Sequence, residues 1–283
     1  MSEESPAILR RVLGRHLQDL RERTGRSFDE AAAHLGVNHN TVRRLEKGLH
    51  KPARSTPWRE LLIYYGADDA TVNALVELGS RAEQDNWWDE YSDVLSPAMA
   101  NCVMVEGAAD KIRGYVPNEV PALMQTAEYA RAAAPVPDCD RWMELLQRRQ
   151  AVLDDDNGPQ LWVTFDQAAL LRETGSPGVM EGQLAHLLKL AEQPRITIQV
   201  VPFSAGIPHA ARAGSCCLYR LRSAELPDIV CVDQLDRMDF VDRQDAVASY
   251  TEVLDQTAGQ AAARGEETRR LLQKIHDDWR TAT

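Results

Sequence analysis

The chain has 283 residues, enough for one to three domains with two as the default, and its 44% hydrophobic and 27% charged content is that of an ordinary globular protein. No apolar run approaches the roughly 18 residues of a membrane span, and the N-terminus, Met1-Ser2-Glu3-Glu4-Ser5-Pro6, is acidic where a secretory signal would be basic and apolar, so the expected location is cytoplasmic, with no membrane partner. The net charge of −11 argues at first against nucleic acid, but residues 1–66 carry 12 Lys+Arg against 8 Asp+Glu whereas residues 67–283 carry 20 against 35, so a small basic module precedes a large acidic one.

A first helix is expected from about Pro6 to Arg23. Ile8, Leu9, Val12, Leu13, His16, Leu17 and Leu20 recur at helical spacing, with Arg10, Arg11, Arg15, Arg21 and Arg23 around that stripe. Ser27-Phe28-Asp29-Glu30 reads as a capping box that opens a second helix over Phe28 to Leu35, and Gly36 stops it. Val37 and Asn38 make a short turn into a third helix that ends at Gly48, which gives helix, turn, helix. Asn38 is the cap of that third helix, and Val37 can staple against Val42. At ~100° per residue, His39, Arg43, Lys47, Asn40 and Arg44 fall on one arc of roughly 140°, with Val42 and Leu45 on the other side. Arginine and asparagine on such a face can pair with guanine and adenine in the major groove.

A basic loop, Leu49 to Arg54, follows. Ser55-Thr56-Pro57 caps a fourth helix with Trp58, Leu61, Leu62 and Tyr65 inward, and Asp68 caps a fifth with Val72, Leu75, Val76 and Leu78 apolar. The reading is a five-helix unit over about 1–80.

Residues 9–66 resemble the lambda-repressor-like helix-turn-helix of the XRE family. The resemblance rests on Leu13-Gly14-x-x-Leu17, Leu20-Arg21, Ala32-x-x-Leu35-Gly36-Val37, Thr41-Val42-x-Arg44-Leu45-Glu46-x-Gly48, Pro52 and Tyr65-Gly66. It implies that His39, Asn40, Arg43 and Arg44 face bases, that Thr41, Lys47, Lys51 and Arg54 hold phosphates, and that Glu46 is structural. The family often carries a phosphate-contacting glutamine where Phe28 stands. Either the clamping falls to Ser27, Arg10, Lys51 and Arg54, or Phe28 packs in a core or an interface.

Beyond residue 80, the pair Trp87-Trp88 reads as core or interface. Further helices are expected at about Ala98–Tyr115, Met124–Ala134, Arg141–Leu153, Gln183–Glu192, Arg243–Ala262 and Glu266–Arg280. Strands are expected at Leu161–Phe165, Ile196–Val201, Ser215–Leu221 and Ile229–Val232, the first two parallel across a helical crossover. The expected fold is mainly α with a mixed α/β C-terminal domain: a five-helix module over 1–80, then helices plus a small, mostly four-stranded sheet over 81–283.

The second region resembles the C-terminal domain that follows the XRE module in actinobacterial regulators of the WhiJ type, found chiefly in Streptomyces. Trp87-Trp88, Glu106-x-x-Ala109, Val120-Pro121-x-Leu123-x-Gln125-Thr126, Tyr129-Ala130-Arg131-Ala132, Arg148-Arg149-Gln150, Gln183-Leu184 and Pro202-Phe203-x-x-Gly206 carry the likeness. It implies a small BldB-like acidic protein as partner; a homodimer on a double-stranded DNA operator is expected because a single helix-turn-helix buries too little surface for tight binding. A departure is Asp166-Gln167-Ala168-Ala169-Leu170, where the family usually has a glutamate after the aspartate.

The chain carries no sign of catalysis. Its seven histidines form no metal spacing, and there is no Walker A loop, no G-x-G-x-x-G and no G-x-S-x-G, so neither a cofactor nor a catalytic residue is expected. Counting from Asp154, glycine falls at the fifth position and Phe165 at the twelfth, so this acidic turn is not a calcium loop and no metal site is expected. Five scattered cysteines without C-x-x-C read as reduced and structural. The expectation is a DNA-binding transcriptional regulator, most simply a repressor, whose C-terminal domain dimerises and receives a small protein. A regulator that senses a small molecule is the alternative, and an enzyme fused to the module is the remote one.

Overall fold

The computed structural model describes residues 6–49, 58–82, 84–134, 139–223, 226–234, 238–261 and 265–282. The chain divides into two units, Met1–Asp89 with Ser223–Leu226, and Glu90–Arg222 with Pro227–Thr283.

The first unit holds α1 (Pro6–Arg23), α2 (Phe28–Leu35), α3 (His39–Glu46), α4 (Trp58–Tyr64) and α5 (Asp69–Ala82). The local signals act where they stand in the sequence. The Ser27 hydroxyl accepts from Glu30 N–H while the Glu30 carboxylate accepts from Ser27 N–H at 2.8 Å, which completes the capping box. Asp68 accepts from Thr71 N–H at 2.7 Å ahead of α5. The caps expected at Ser55, Thr56 and Pro57 lie outside the described residues. One apolar core, with Leu13, Leu17, Val42, Leu45, Trp58, Leu61, Leu62 and Tyr65 at its centre, joins the helices. Two glycines set how closely α1 meets the end of α3. A Cβ on Gly14 would lie 2.5 Å from the Glu46 carbonyl oxygen, and one on Gly48 (φ 65°) would lie 2.7 Å from Arg11 Cα.

The second unit holds α6 (Pro97–Ala108), β1 (Ala109–Val116), α7 (Ala127–Ala133), α8 (Cys139–Gln150), β2 (Gln160–Asp166), α9 (Gln167–Leu171), α10 (Pro177–Leu190), β3 (Ile196–Val201), β4 (Cys216–Leu221), β5 (Ile229–Asp233), β6 (Met238–Val241), α11 (Gln244–Gln260) and α12 (Glu266–Ala282). The strands form one mixed sheet in the order β3-β2-β1-β4-β5-β6. β1, β2 and β3 run parallel through helical crossovers, and β4, β5 and β6 continue the sheet antiparallel. The parallel pairing expected of the strands at Leu161 and Ile196 is present.

Two strands beyond the four expected complete this sheet. The segment read as one helix over Ala98–Tyr115 changes conformation at Ala109, where β1 begins. β1 lies between β2 and β4, so pairing on both edges overrides a helix-like apolar spacing. β6 is short and, among the described residues, pairs only with β5.

Alternation along the strands gives the sheet two covered faces. Tyr115, Cys216, Leu218, Val230 and Val232 pack with Leu254 of α11, joined by Tyr250 and Val253 of the expected stripe. α6 contacts β1 and β4 and packs on α8, and Cys102 of α6 brings its sulfur 3.5 Å from that of Cys231 on β5. All five cysteines are free thiols. No described helix is long and apolar enough to cross a membrane.

Candidate nucleic-acid interface

The turn before α3 is closed at both ends by backbone chemistry. At the end of α2, Gly36 adopts φ 65°, and Val37 N–H reaches back to the Ala32 carbonyl at 3.0 Å. The Asn38 side chain then accepts from Asn40 N–H at 2.9 Å, capping α3. Val37 is exposed, so entry into α3 rests on this cap rather than on a buried staple against Val42. At the far end, Gly48 N–H bonds the Leu45 carbonyl and Leu49 N–H the Arg44 carbonyl, both at 2.9 Å. This is a Schellman ending, and it fixes α3 at two turns.

The orientation of α3 follows from what it buries. Val42 and Leu45 are fully buried, each contributing about 1.5–3 kcal/mol by leaving water. The Glu46 carboxylate also turns inward. It accepts from Arg21 Nε at 2.8 and 3.0 Å, and the Tyr65 hydroxyl donates to it at 3.3 Å. Burial and the Glu46 charge together raise the Tyr65 phenol well above its ordinary pKa, and the bond to Glu46 raises that of Arg21. The structural role expected of Glu46 is therefore present, and its charge is spent inside the module.

His39, Asn40, Arg43, Arg44 and Lys47 are all exposed, and Thr41 is half-buried beside them. Among the described residues no carboxylate pairs with Arg43, Arg44 or Lys47, and the nearest acid to His39 is Asp29, 3.9 Å away. The exposed face of α3 is thus cationic and carries an asparagine in its first turn.

The remaining expected phosphate contacts divide. Ser27 is exposed, with its hydroxyl engaged in the capping box. Lys51 and Arg54 lie outside the described residues. Arg10 is corrected: it is buried at 7% exposure, its Nη1 donates to the Ala82 carbonyl at 2.7 Å, and burial lowers its pKa. Its guanidinium ties α1 to the end of α5 and has no open face for a phosphate.

Phe28 takes the second of the two roles left open for it, since it is half-buried at the margin of the core. It also does something the sequence did not announce. The guanidinium of Arg21 lies 4.1 Å from its ring centroid, and that of Arg43 lies 5.2 Å away. The ring therefore supports a residue of the exposed face through cation–π attraction. An aromatic residue at the start of α2 beside an arginine on α3 is the only sequence signal of this contact.

A family model described as a helix-turn-helix domain matches residues 12–75. A second, described as a domain of unknown function, DUF5753, matches residues 99–274. No curated protein and no solved structure matches the chain.

Proposed function

We propose, from the premise that the chain belongs to the DUF5753 family and carries a helix-turn-helix domain at its N-terminus, that it is a sequence-specific transcriptional regulator whose α3 reads DNA. One observation carries the reading: a doubly capped helix, anchored by Val42, Leu45 and Glu46, presents Asn40, Arg43, Arg44 and Lys47 with no acidic partner among the described residues. His39, Asn40, Arg43 and Arg44 face base edges, and Thr41, Lys47, Lys51 and Arg54 hold phosphates, while Ser27 stays in the capping box. The acidic remainder of the chain stays off the phosphate backbone and limits non-specific binding.

A single module of this size buries too little surface for tight specific binding. The protein acts in the cytoplasm as a homodimer on two half-sites about 34 Å apart or a multiple of that spacing. It represses, the bound dimer obstructing transcription. The C-terminal domain receives a small acidic protein, as the resemblance to WhiJ-type regulators implies. That partner shifts DNA affinity by binding one arrangement of the dimer better than the other. A second reading of the input, a small molecule, is favoured by a cavity of about 530 Å³ within the C-terminal unit.

The test is selection from a random duplex pool with the full chain, joined to sedimentation of the free protein. The expected result is a dimer that enriches an inverted repeat. A monomer, or a pool with no enriched sequence, contradicts the reading.

A further inference from the structure

The cavity of about 530 Å³ lies between α6, α8 and the face of β4 and β5 opposite α11, and its size is that of a small-molecule site. At one side stands Arg149, whose side chain is only 6% exposed. Glu106 holds it through Nε at 3.1 Å and Nη2 at 2.9 Å. A guanidinium has five N–H donors. Among the described residues no other group bonds this one, so donors remain to face the cavity. Trp142, Met99 and Met238 give apolar wall. Glu119 and Asp233 line the exposed side of the cavity, and neither carboxylate has a hydrogen bond or ion pair among the described residues. Burial raises both carboxyls above the usual carboxylate range, and at Glu119 the Asp233 charge adds to the shift.

These features select a ligand class. An anion meets two carboxylates that no described cation compensates, while the charge of Arg149 is already balanced by Glu106. A purely apolar molecule leaves the Arg149 donors buried without a partner, which costs binding energy. No described group of three or more His, Cys, Asp or Glu could hold a metal ion. We propose that this cavity is an effector site for a small organic amine: its ammonium sits with Glu119 and Asp233, its apolar body lies against Trp142, Met99 and Met238, and an oxygen acceptor takes the free donors of Arg149. The inference deepens the reading in which the C-terminal domain takes the regulatory input from a small molecule.

The experiment is calorimetric or ligand-observed NMR titration of the full chain, without DNA, with four compounds of one shape. Tyramine carries both polar ends, 2-phenylethylamine lacks the oxygen, tyrosol replaces the amine by a hydroxyl, and 4-hydroxyphenylacetate replaces it by a carboxylate. Saturable binding is expected, tightest for tyramine, with the carboxylate compound weaker by about tenfold or more. The double variant Glu119→Gln/Asp233→Asn loses about tenfold in tyramine affinity and leaves tyrosol unchanged. No saturable binding by any of the four, equal binding of amine and carboxylate, or an unaltered double variant overturns the proposal. DNA binding by the same preparation is scored separately, so loss of the amine site and loss of the α3 reading are told apart.

Discussion

Among the described residues each unit contains one buried Arg–Glu pair that ties two helices, and the two pairs have different surroundings. In the N-terminal unit Arg21 and Glu46 join α1 to α3 and both meet further partners: Tyr65 donates to Glu46, Arg21 Nη1 donates to the Arg26 carbonyl at 3.1 Å, and Phe28 covers the guanidinium. In the C-terminal unit Arg149 and Glu106 join α8 to α6, with a cavity alongside and donors left over. A pair enclosed by a ring, a hydroxyl and a carbonyl is an anchor for the helix that carries it. A pair that lines a cavity is an anchor that can also meet a ligand.

The largest effects break the pairs themselves. Removing one member leaves the other charged and buried, so Glu46→Ala and Glu106→Ala should each cost about 3–5 kcal/mol in the unfolding of their own unit. Urea melts of the full chain followed by far-ultraviolet dichroism check this. A melt indistinguishable from the parent at either position would remove that pair from the account.

Next comes the backbone approach that sets α3 on α1. Gly14→Ala places a methyl 2.5–2.7 Å from the Glu46 and Leu45 carbonyl oxygens and should cost about 1–3 kcal/mol, with weaker DNA binding even at temperatures where the chain is folded. Ser27→Ala should cost about 1 kcal/mol by removing the cap of α2. The Glu30 carboxyl is held below its ordinary pKa, first by Ser27 N–H and then by the Ser27 hydroxyl. Its folded pKa is depressed, so its contribution is complete above the unfolded carboxyl value and is lost as pH falls through the folded one. The gap between parent and Ser27→Ala should therefore narrow in acid. A constant gap from pH 7 to pH 3 would contradict the assignment.

The smallest effect concerns Phe28. Phe28→Leu keeps apolar bulk but removes the ring face under Arg43. Operator affinity should weaken by about 0.5–1 kcal/mol while the melt moves little. Equal affinity would mean that the ring packs without orienting Arg43.

The two units also differ in how much of them could be read from the residues. In the first, both ends of α2 and α3 and the start of α5 have a local chemical cause within a few positions: Ser27 with Glu30, Gly36, Asn38, Gly48, Asp68. Such signals do not depend on distant parts of the chain, whereas the structural role of Glu46 was expected from the family resemblance. In the second, β1 follows α6 without a turn residue between them, and it is a strand because β2 and β4, many residues later, pair with its edges. The short edge strand β6 carries little alternation. The site divided in the same way. The exposed face of α3 followed from helical spacing, whereas the burial of Arg10 depends on a carbonyl at Ala82 and the stacking of Arg43 depends on a ring at Phe28. Glu106 and Arg149 stood out only as parts of a family pattern, since the cavity beside them is assembled from elements far apart in the sequence.

The most direct measurement compares three single variants on the duplex enriched from a random pool, by fluorescence anisotropy at several salt concentrations. If α3 reads bases, Asn40→Ala and Arg44→Ala should each lose about 1–3 kcal/mol on the selected sequence at fixed salt and almost nothing on random duplex. Lys47→Ala should weaken both and reduce the salt slope by about one. If Asn40→Ala and Arg44→Ala bind the selected sequence as the parent does, or weaken selected and random duplex equally, α3 is not the reading helix.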